Sequence, residues 1–159
     1  MTREWGMGVP LVRLKDPKTG KYIDRWQTQV SFRVVLNDGR RVTVPEGFVY
    51  DKASVPSLVW WYLPRDDKGF TDAALVHDYL YQSQKIDMLW ITRKDADDVF
   101  LELMEREDMR WDKRRLAYRA VRLWGWMYFN KRAEIKRNPL YVGIKKKSFS
   151  DIRKPWERK

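Results

Sequence analysis

Hydrophobic and polar positions alternate with a period of two in the first half of the chain. From residue 26 to residue 34 every second side chain falls on one face, while the intervening ones are mostly polar. This spacing is typical of a half-buried β-strand. Asn37-Asp38-Gly39 then predicts a tight turn, because Asp-Gly supplies the positive φ angles that a tight hairpin needs. Arg41-Val42-Thr43-Val44 is expected to return as the partner strand.

The segments on either side of this hairpin are less regular. Residues 1–25 carry the turn Asp16-Pro17-Lys18-Thr19-Gly20 and are expected to form either an irregular arm or a short first hairpin. Phe48-Val49-Tyr50 predicts a third short strand. Residues 57–63 are too few and too apolar for an exposed helix, and Pro64 stops them, so we expect one or two buried helical turns.

Three longer segments have the spacing of amphipathic helices. They run from Phe70 to about Gln84, from a cap at Thr92 onwards, and from about Asp112 to Phe129. Asp95 stands where a capping box places an acidic side chain opposite Thr92. The expected inner faces consist of Ala73, Ala74, His77, Leu80 and Tyr81; of Ala96, Val99, Phe100, Leu103 and Met104; and of Leu116, Ala117, Ala120, Leu123, Trp124 and Met127. Arg114, Arg115, Arg119 and Arg122 are expected on the exposed side of the last helix.

Strands followed by helices predict an α+β fold. We expect a small antiparallel sheet or hairpin in the N-terminal half, packed with three main helices. The chain of 159 residues fits one core, so we divide it into an N-terminal arm (1–25), a single domain (26–130) and a basic C-terminal extension (131–159).

Composition excludes several kinds of site. Cysteine is absent and His77 is the only histidine, which rules out disulfides, thiol chemistry and zinc sites built from cysteine or several histidines. A bound metal would therefore be a hard ion held by oxygen, such as Ca²⁺ or Mg²⁺. The sequence has no apolar run long enough to cross a membrane and no signal-like leader, so we expect synthesis in the cytosol.

The net charge of +11 is concentrated near the end of the chain, where residues 131–159 carry eleven Lys or Arg against three acids. Clustered cations release counterions when they meet a polyanion, so this arm predicts binding to nucleic acid, anionic lipid or an acidic protein surface. The alternative is a solvated tail that keeps the protein in solution.

The densest polar signal lies on the first predicted helix. His77 falls on its apolar stripe, with Asp78 beside it and Tyr81 one turn on, and a buried histidine needs a hydrogen-bonding partner. Asp97 on the next helix would come within reach if the two helices were antiparallel. Such a pair raises the basicity of imidazole, as a general base requires. It serves equally well as a structural lock between two helices, and both interpretations stay open.

Asp51 and Ser54 lie between the last predicted strand and the first helical turns. Loops of this kind often deliver functional side chains, so a Ser54–His77–Asp97 hydrolytic triad is one interpretation. The other is that both side chains cap backbone amides of the turn.

Four segments together resemble a known family. They are Gly47-Phe48-Val49-Tyr50-Asp51-Lys52-Ala53-Ser54-Val55-Pro56, Ala73-Ala74-Leu75-Val76-His77-Asp78-Tyr79-Leu80-Tyr81, Ala96-Asp97-Asp98-Val99-Phe100 and Arg122-Leu123-Trp124-Gly125-Trp126. In this order they resemble domain of unknown function family 1353, whose members are mostly encoded by phages and prophages. The resemblance implies a role in a bacteriophage.

The His77-Asp78 helix, with Tyr81 and the later Asp97, is also similar to the phospholipase A-two domain of parvovirus capsids. That resemblance implies that His77 is the base, Asp97 its orienting carboxylate and Tyr81 a residue that supports them by hydrogen bonding. It implies further that Asp78 is a Ca²⁺ ligand.

Three functions follow as hypotheses. The first is a structural or accessory protein of a phage virion or tail, which docks to other phage proteins through its arms and exposed tryptophans. The second is a calcium-dependent phospholipase or cell-envelope hydrolase that uses His77 and Asp97. The third is a nucleic-acid-binding accessory factor.

Overall fold

The computed structural model describes residues 2–6, 8–50 and 68–129, and in these the chain is α+β as expected. Eight short strands and three long helices are described, and they run along the chain as β1 (Thr2–Glu4), β2 (Leu11–Lys15), β3 (Tyr22–Thr28), β4 (Ser31–Val35), β5 (Arg41–Val44), β6 (Val49–Tyr50), α1 (Lys68–Ser83), β7 (Lys85–Ile86), β8 (Leu89–Trp90), α2 (Arg93–Arg106) and α3 (Trp111–Trp124). No helix in these ranges is long and apolar enough to span a membrane.

The strands form two three-stranded sheets and a separate two-stranded hairpin, β7–β8. One sheet has the order β1-β4-β5, and the other has the order β2-β3-β6. β1 lies parallel to β4, so the first sheet is mixed rather than purely antiparallel. β2 and β3 pair antiparallel, and of the two alternatives for residues 1–25 the structure therefore contains the hairpin.

The single strand expected over residues 26–34 is divided in two. A bend at Gln29 and Val30 ends β3 in one sheet and starts β4 in the other. Phe48 O and Pro10 O accept hydrogen bonds from the backbone of Thr28 and Gln29, which fixes the chain where it changes sheet. The alternation of side chains continues across the bend, so the sequence pattern alone did not reveal it.

The β4–β5 hairpin is confirmed. Val34 faces Val42 across the pair, and both side chains are buried. Leu36 N donates to Arg40 O at 2.7 Å, which closes the turn. Gly39 has a φ of 85°, a backbone conformation that costs glycine little.

The helices pack on one another and against the inner faces of the strands. The inner faces expected for α1 and α2 are confirmed: every residue named for them is buried. On the sheet side the core consists of Phe32, Val34, Leu36, Val42, Val44 and Tyr50. α2 lies between α1 and α3 in the packing, because it contacts both.

The inner face expected for the last helix is confirmed at Ala117 and Ala120, but the helix is rotated relative to the rest of that face. α3 buries Ala117, Ala120 and Val121, and it leaves Leu116, Leu123 and Trp124 exposed. Its small inward side chains allow close approach to α2. The rotation also directs Arg122 towards the core, although we expected that residue on the exposed side.

Three expectations lie outside the described residues. These are the buried turns at 57–63, the Asp51 and Ser54 link, and the basic arm at 131–159.

The capping box at the start of α2 is confirmed and gives a test of local stability. Asp95 N donates to Thr92 Oγ1 at 3.2 Å, and Thr92 N donates to Asp95 Oδ2 at 2.8 Å. Thr92→Ala removes one acceptor from the helix end and should lower the free energy of unfolding by about 1 kcal/mol. Urea denaturation measures this change, with Thr92→Ser as the matched control that keeps the hydroxyl. Equal stability of the alanine and serine variants would contradict the assignment.

Candidate functional site: a buried carboxylate shared by three helices

Asp97 is the centre of the candidate site. It lies on the inner face of α2 and its side chain is fully buried. His77 Nε2 is 2.8 Å from Asp97 Oδ1, which confirms that α1 and α2 bring these two residues together. Tyr81, one turn further along α1, donates its hydroxyl to the same oxygen at 2.6 Å. The spacing of four residues places both donors on one side of α1, above a single acceptor.

The other carboxylate oxygen faces α3. Arg122 donates Nη1 to Asp97 Oδ2 at 2.8 Å. Arg93 Nη1 is 4.0 Å from the same oxygen, and it also donates to Arg122 O at 2.8 Å. The carboxylate of α2 is thus hydrogen-bonded by side chains of α1 and α3, with two donors on one oxygen and one on the other, and Arg93 of α2 adds a second positive charge nearby.

Sequence reasoning missed Arg122 and Arg93. The helical pattern predicts Arg122 on the exposed side, because the apolar stripe of the last helix predicts a different inner face. One signal was present: Arg122 belongs to the last of the four segments that carry the family resemblance. A buried carboxylate with both α1 donors on one oxygen also requires a donor for its second oxygen.

Aromatic rings enclose the imidazole. The His77 ring centroid is 4.1 Å from that of Tyr81 and 4.8 Å from that of Phe100. The Tyr81 ring meets Phe129 edge-on at 5.2 Å. His77 itself has no exposed surface. The pair therefore sits in an apolar environment, where each hydrogen bond is stronger than it would be in water.

Gly125 makes room for the Tyr81 hydroxyl. It follows the end of α3, where its N–H donates to Val121 O at 2.8 Å. A Cβ atom at this position would overlap the Tyr81 hydroxyl and the Val121 carbonyl oxygen. Glycine is required here for close approach and not for its backbone conformation, because any residue can adopt its φ of −60°.

Burial and hydrogen bonding shift the pKa values of His77 and Asp97 in opposite directions. Desolvation lowers the pKa of His77 below its ordinary value, although the hydrogen bond and charge of Asp97 oppose this. Desolvation would raise the pKa of Asp97, but the hydrogen bonds from His77, Tyr81 and Arg122 outweigh it and hold that pKa below the usual range. Asp97 is therefore an anion and His77 a neutral ring. An ionised carboxylate only accepts, so His77 donates Nε2–H, and its lone pair lies on Nδ1.

Asp78, the expected Ca²⁺ ligand, is also buried. Across residues 2–6, 8–50 and 68–129, no group of three or more histidine or acidic side chains could hold a metal ion. Calcium binding by Asp78 stays a prediction.

The comparisons with known proteins settle the family. The model of the family described as Protein of unknown function (DUF1353) matches residues 26–121, more than half of the chain, and the chain belongs to this family. The matched range contains His77, Tyr81 and Asp97 and ends directly before Arg122. No curated protein and no solved structure matches the chain significantly.

The lowered pKa of His77 predicts how stability depends on pH. In the unfolded chain the ring regains its ordinary pKa of 6.5, so below that pH the unfolded state binds more protons than the folded state. Stability should be complete above pH 6.5 and should fall as the pH drops from 6.5 towards the folded pKa. Because His77 is the only histidine, His77→Gln should flatten this decline. Urea denaturation of both proteins at about pH 7.5 and about pH 5.5 measures it, and an equal decline in the variant would contradict the assignment.

Proposed function

We propose that the chain is an accessory protein of a bacteriophage particle that docks to another protein of that particle through the outer face of α3. The observation that carries the proposal is a row of exposed residues, here called the α3 outer face, consisting of Leu116, Arg119 and Leu123 on α3 and of Trp126 just beyond its end. The spacing of three and four residues keeps the first three on one side of the helix.

The degree of exposure supports docking. Leu123 is 63% exposed and Trp126 is 53% exposed. Single exposed apolar residues are ordinary, whereas apolar side chains that recur at helical spacing form a patch. Contact with another protein would remove that patch from water, with a gain of roughly 25 cal/mol for each Å² of apolar surface buried.

The composition of the surface also supports a protein partner. Tryptophan and arginine are enriched where proteins bind one another, because each combines a large contact area with a polar group. Arg119 lies within the α3 outer face. At its edge the guanidinium of Arg115 lies 5.7 Å from the ring centre of Trp111. Tryptophan and arginine thus occur together along this side of the helix.

The closed state of the polar site favours docking over chemistry as the main function. His77 and Asp97 are fully buried, and each has a hydrogen-bonding partner in the other. In this proposal the buried site holds the three helices in register, and the register determines which residues of α3 face outwards.

A double variant tests the docking proposal. Leu123→Ser with Trp126→Ser should reduce the amount of protein in purified particles by about tenfold or more, since it removes two anchors from the interface. The measurement is mass spectrometry of particles from a phage that lacks its own copy and receives the variant from a plasmid. Tyr22→Ser is the matched control, because Tyr22 is a large side chain that is 60% exposed on β3, outside the α3 outer face. Equal incorporation of the double variant, or particles without the wild-type protein, would overturn the proposal.

A second candidate function is a hydrolase of phospholipid or cell-envelope bonds. One specific observation favours it: Asp97 Oδ1 accepts from both His77 and Tyr81. This arrangement orients a neutral imidazole beside a carboxylate, the form that acts as a general base when water attacks a carbonyl or phosphoryl centre. Asp78, which follows His77 in the chain, is the residue whose carboxylate would bind Ca²⁺.

Enzymatic assays test this candidate. Purified wild-type protein should hydrolyse phosphatidylglycerol vesicles or peptidoglycan, and His77→Ala should lower the rate at least a hundredfold. Tyr81→Phe, which keeps the ring and loses one donor, should lower it less. Addition of a chelator to the wild-type protein shows whether Ca²⁺ takes part. Identical background rates for the wild-type protein and for a folded His77→Ala variant would exclude the candidate.

A further inference from the structure

The outer edge of β5 borders a groove away from the buried site. The groove has a volume of about 290 Å³ and lies between β5, the end of α1 and the β7–β8 hairpin. Arg41 and Thr43 line it from β5, and Lys85, Asp87 and Met88 line it from the hairpin side. It is separate from the α3 outer face.

The pairing of β4 with β5 determines which backbone groups face this groove. Leu36 N donates to Arg40 O across the turn, so Leu36 and Arg40 are a hydrogen-bonded pair. In an antiparallel ladder such pairs alternate with pairs that are not hydrogen-bonded to each other. The next hydrogen-bonded pair is therefore Val34 with Val42. The residues between such pairs direct N–H and C=O away from β4. Arg41 confirms this direction, because its N–H donates outwards to Asp87 Oδ2 at 2.8 Å.

Thr43 has the same orientation as Arg41, two residues further along the strand. Its N–H and C=O therefore point into the groove. Among the residues that the structure describes, β4 is the only strand that pairs with β5. An edge with such outward groups is a template for a further strand, which binds through main-chain hydrogen bonds.

The charges of the groove define the side chains it would accept. Arg41 and Lys85 bring positive charge, and Asp87 is the acidic residue among its described lining residues. The carboxylate of Asp87 already accepts a hydrogen bond from Arg41 N. It therefore occupies that end of the β5 edge, and an added strand would pair beyond it, at Thr43. Val42 and Ile86 are buried beneath the groove. A strand that fits would carry acidic side chains beside apolar ones.

The turn between β7 and β8 holds one wall of the groove. Asp87 and Met88 have φ angles of 46° and 66°, in the left-handed region that is unfavourable for residues other than glycine. This conformation directs the Asp87 carboxylate to β5 and leaves Met88 exposed at the rim. An exposed methionine adapts to apolar surfaces of varied shape.

We propose that the outer edge of β5 binds an extended, acidic segment of a partner protein as an added β-strand. Thr43 supplies the main-chain hydrogen bonds. Arg41 and Lys85 select acidic side chains, and Met88 covers an apolar one.

The probe for the test is a fluorescein-labelled hexapeptide of alternating Glu and Val, with an alternating Lys and Val peptide as the charge control. The Glu peptide should bind the full chain saturably in fluorescence anisotropy, and amide hydrogen exchange of Thr43, followed by NMR, should slow when it is added. Thr43→Pro removes the outward N–H without breaking a hydrogen bond to β4, a substitution that an edge strand tolerates, and it should weaken binding about tenfold. Thr43→Val, the matched control, keeps the N–H and should bind like the wild-type protein. Lys85→Glu should weaken binding as well.

Three results would overturn the proposal. One is unchanged exchange of Thr43 in the presence of saturating peptide. Another is equal binding by the Glu and Lys peptides, which would remove the role of charge. The third is equal affinity of Thr43→Pro and Thr43→Val. If Thr43→Pro does not fold, a Glu–Val peptide methylated on alternate backbone nitrogens tests the same hydrogen bonds. Undiminished binding by every such methylated peptide would then count against the proposal.

Discussion

The carboxylate of Asp97 is the interaction on which the arrangement of the helices depends. An anion in the core costs several kcal/mol unless its oxygens are bound by donors in good geometry. Those donors come from α1 and α3, while Asp97 itself lies on α2. Rotation or sliding of any of the three helices would leave a buried charge without part of its hydrogen bonding. Apolar packing alone tolerates such shifts more easily, so the register of the three helices is fixed by these polar contacts rather than by the apolar core.

This constraint links the interior to the surface. Because Arg122 reaches Asp97, α3 is turned so that Val121 faces inwards and Leu123 faces outwards. The small inward residues fill the narrow space between α3 and α2, and the larger apolar ones are left on the outside. In the proposed docking function, the buried site therefore determines which surface of α3 a partner protein meets, although the site itself is not exposed to solvent.

The sequence predicted those parts of the structure that depend on local signals. The Asn37-Asp38-Gly39 turn, the capping box at Thr92 and the inner faces of α1 and α2 each follow from residue types at fixed spacing. His77 and Asp97 could be paired because two regular helices limit how their stripes meet. The chain's change of sheet near Gln29 and the rotation of α3 depend instead on distant partners, Pro10 and Asp97, which no local pattern contains. The roles of the site residues in chemistry, and the phage association, stay predictions.

The parallel pairing of β1 with β4 has a consequence for folding. Thr2 lies opposite Ser31, and the whole β2–β3 hairpin intervenes between them along the chain. A β4–β5 hairpin closes over a short turn, whereas pairing of β1 with β4 closes a loop that contains the β2–β3 hairpin and costs more chain entropy. During synthesis β1 precedes its partner by the length of that loop, and until the two strands pair the backbone of β1 depends on water for its hydrogen bonds.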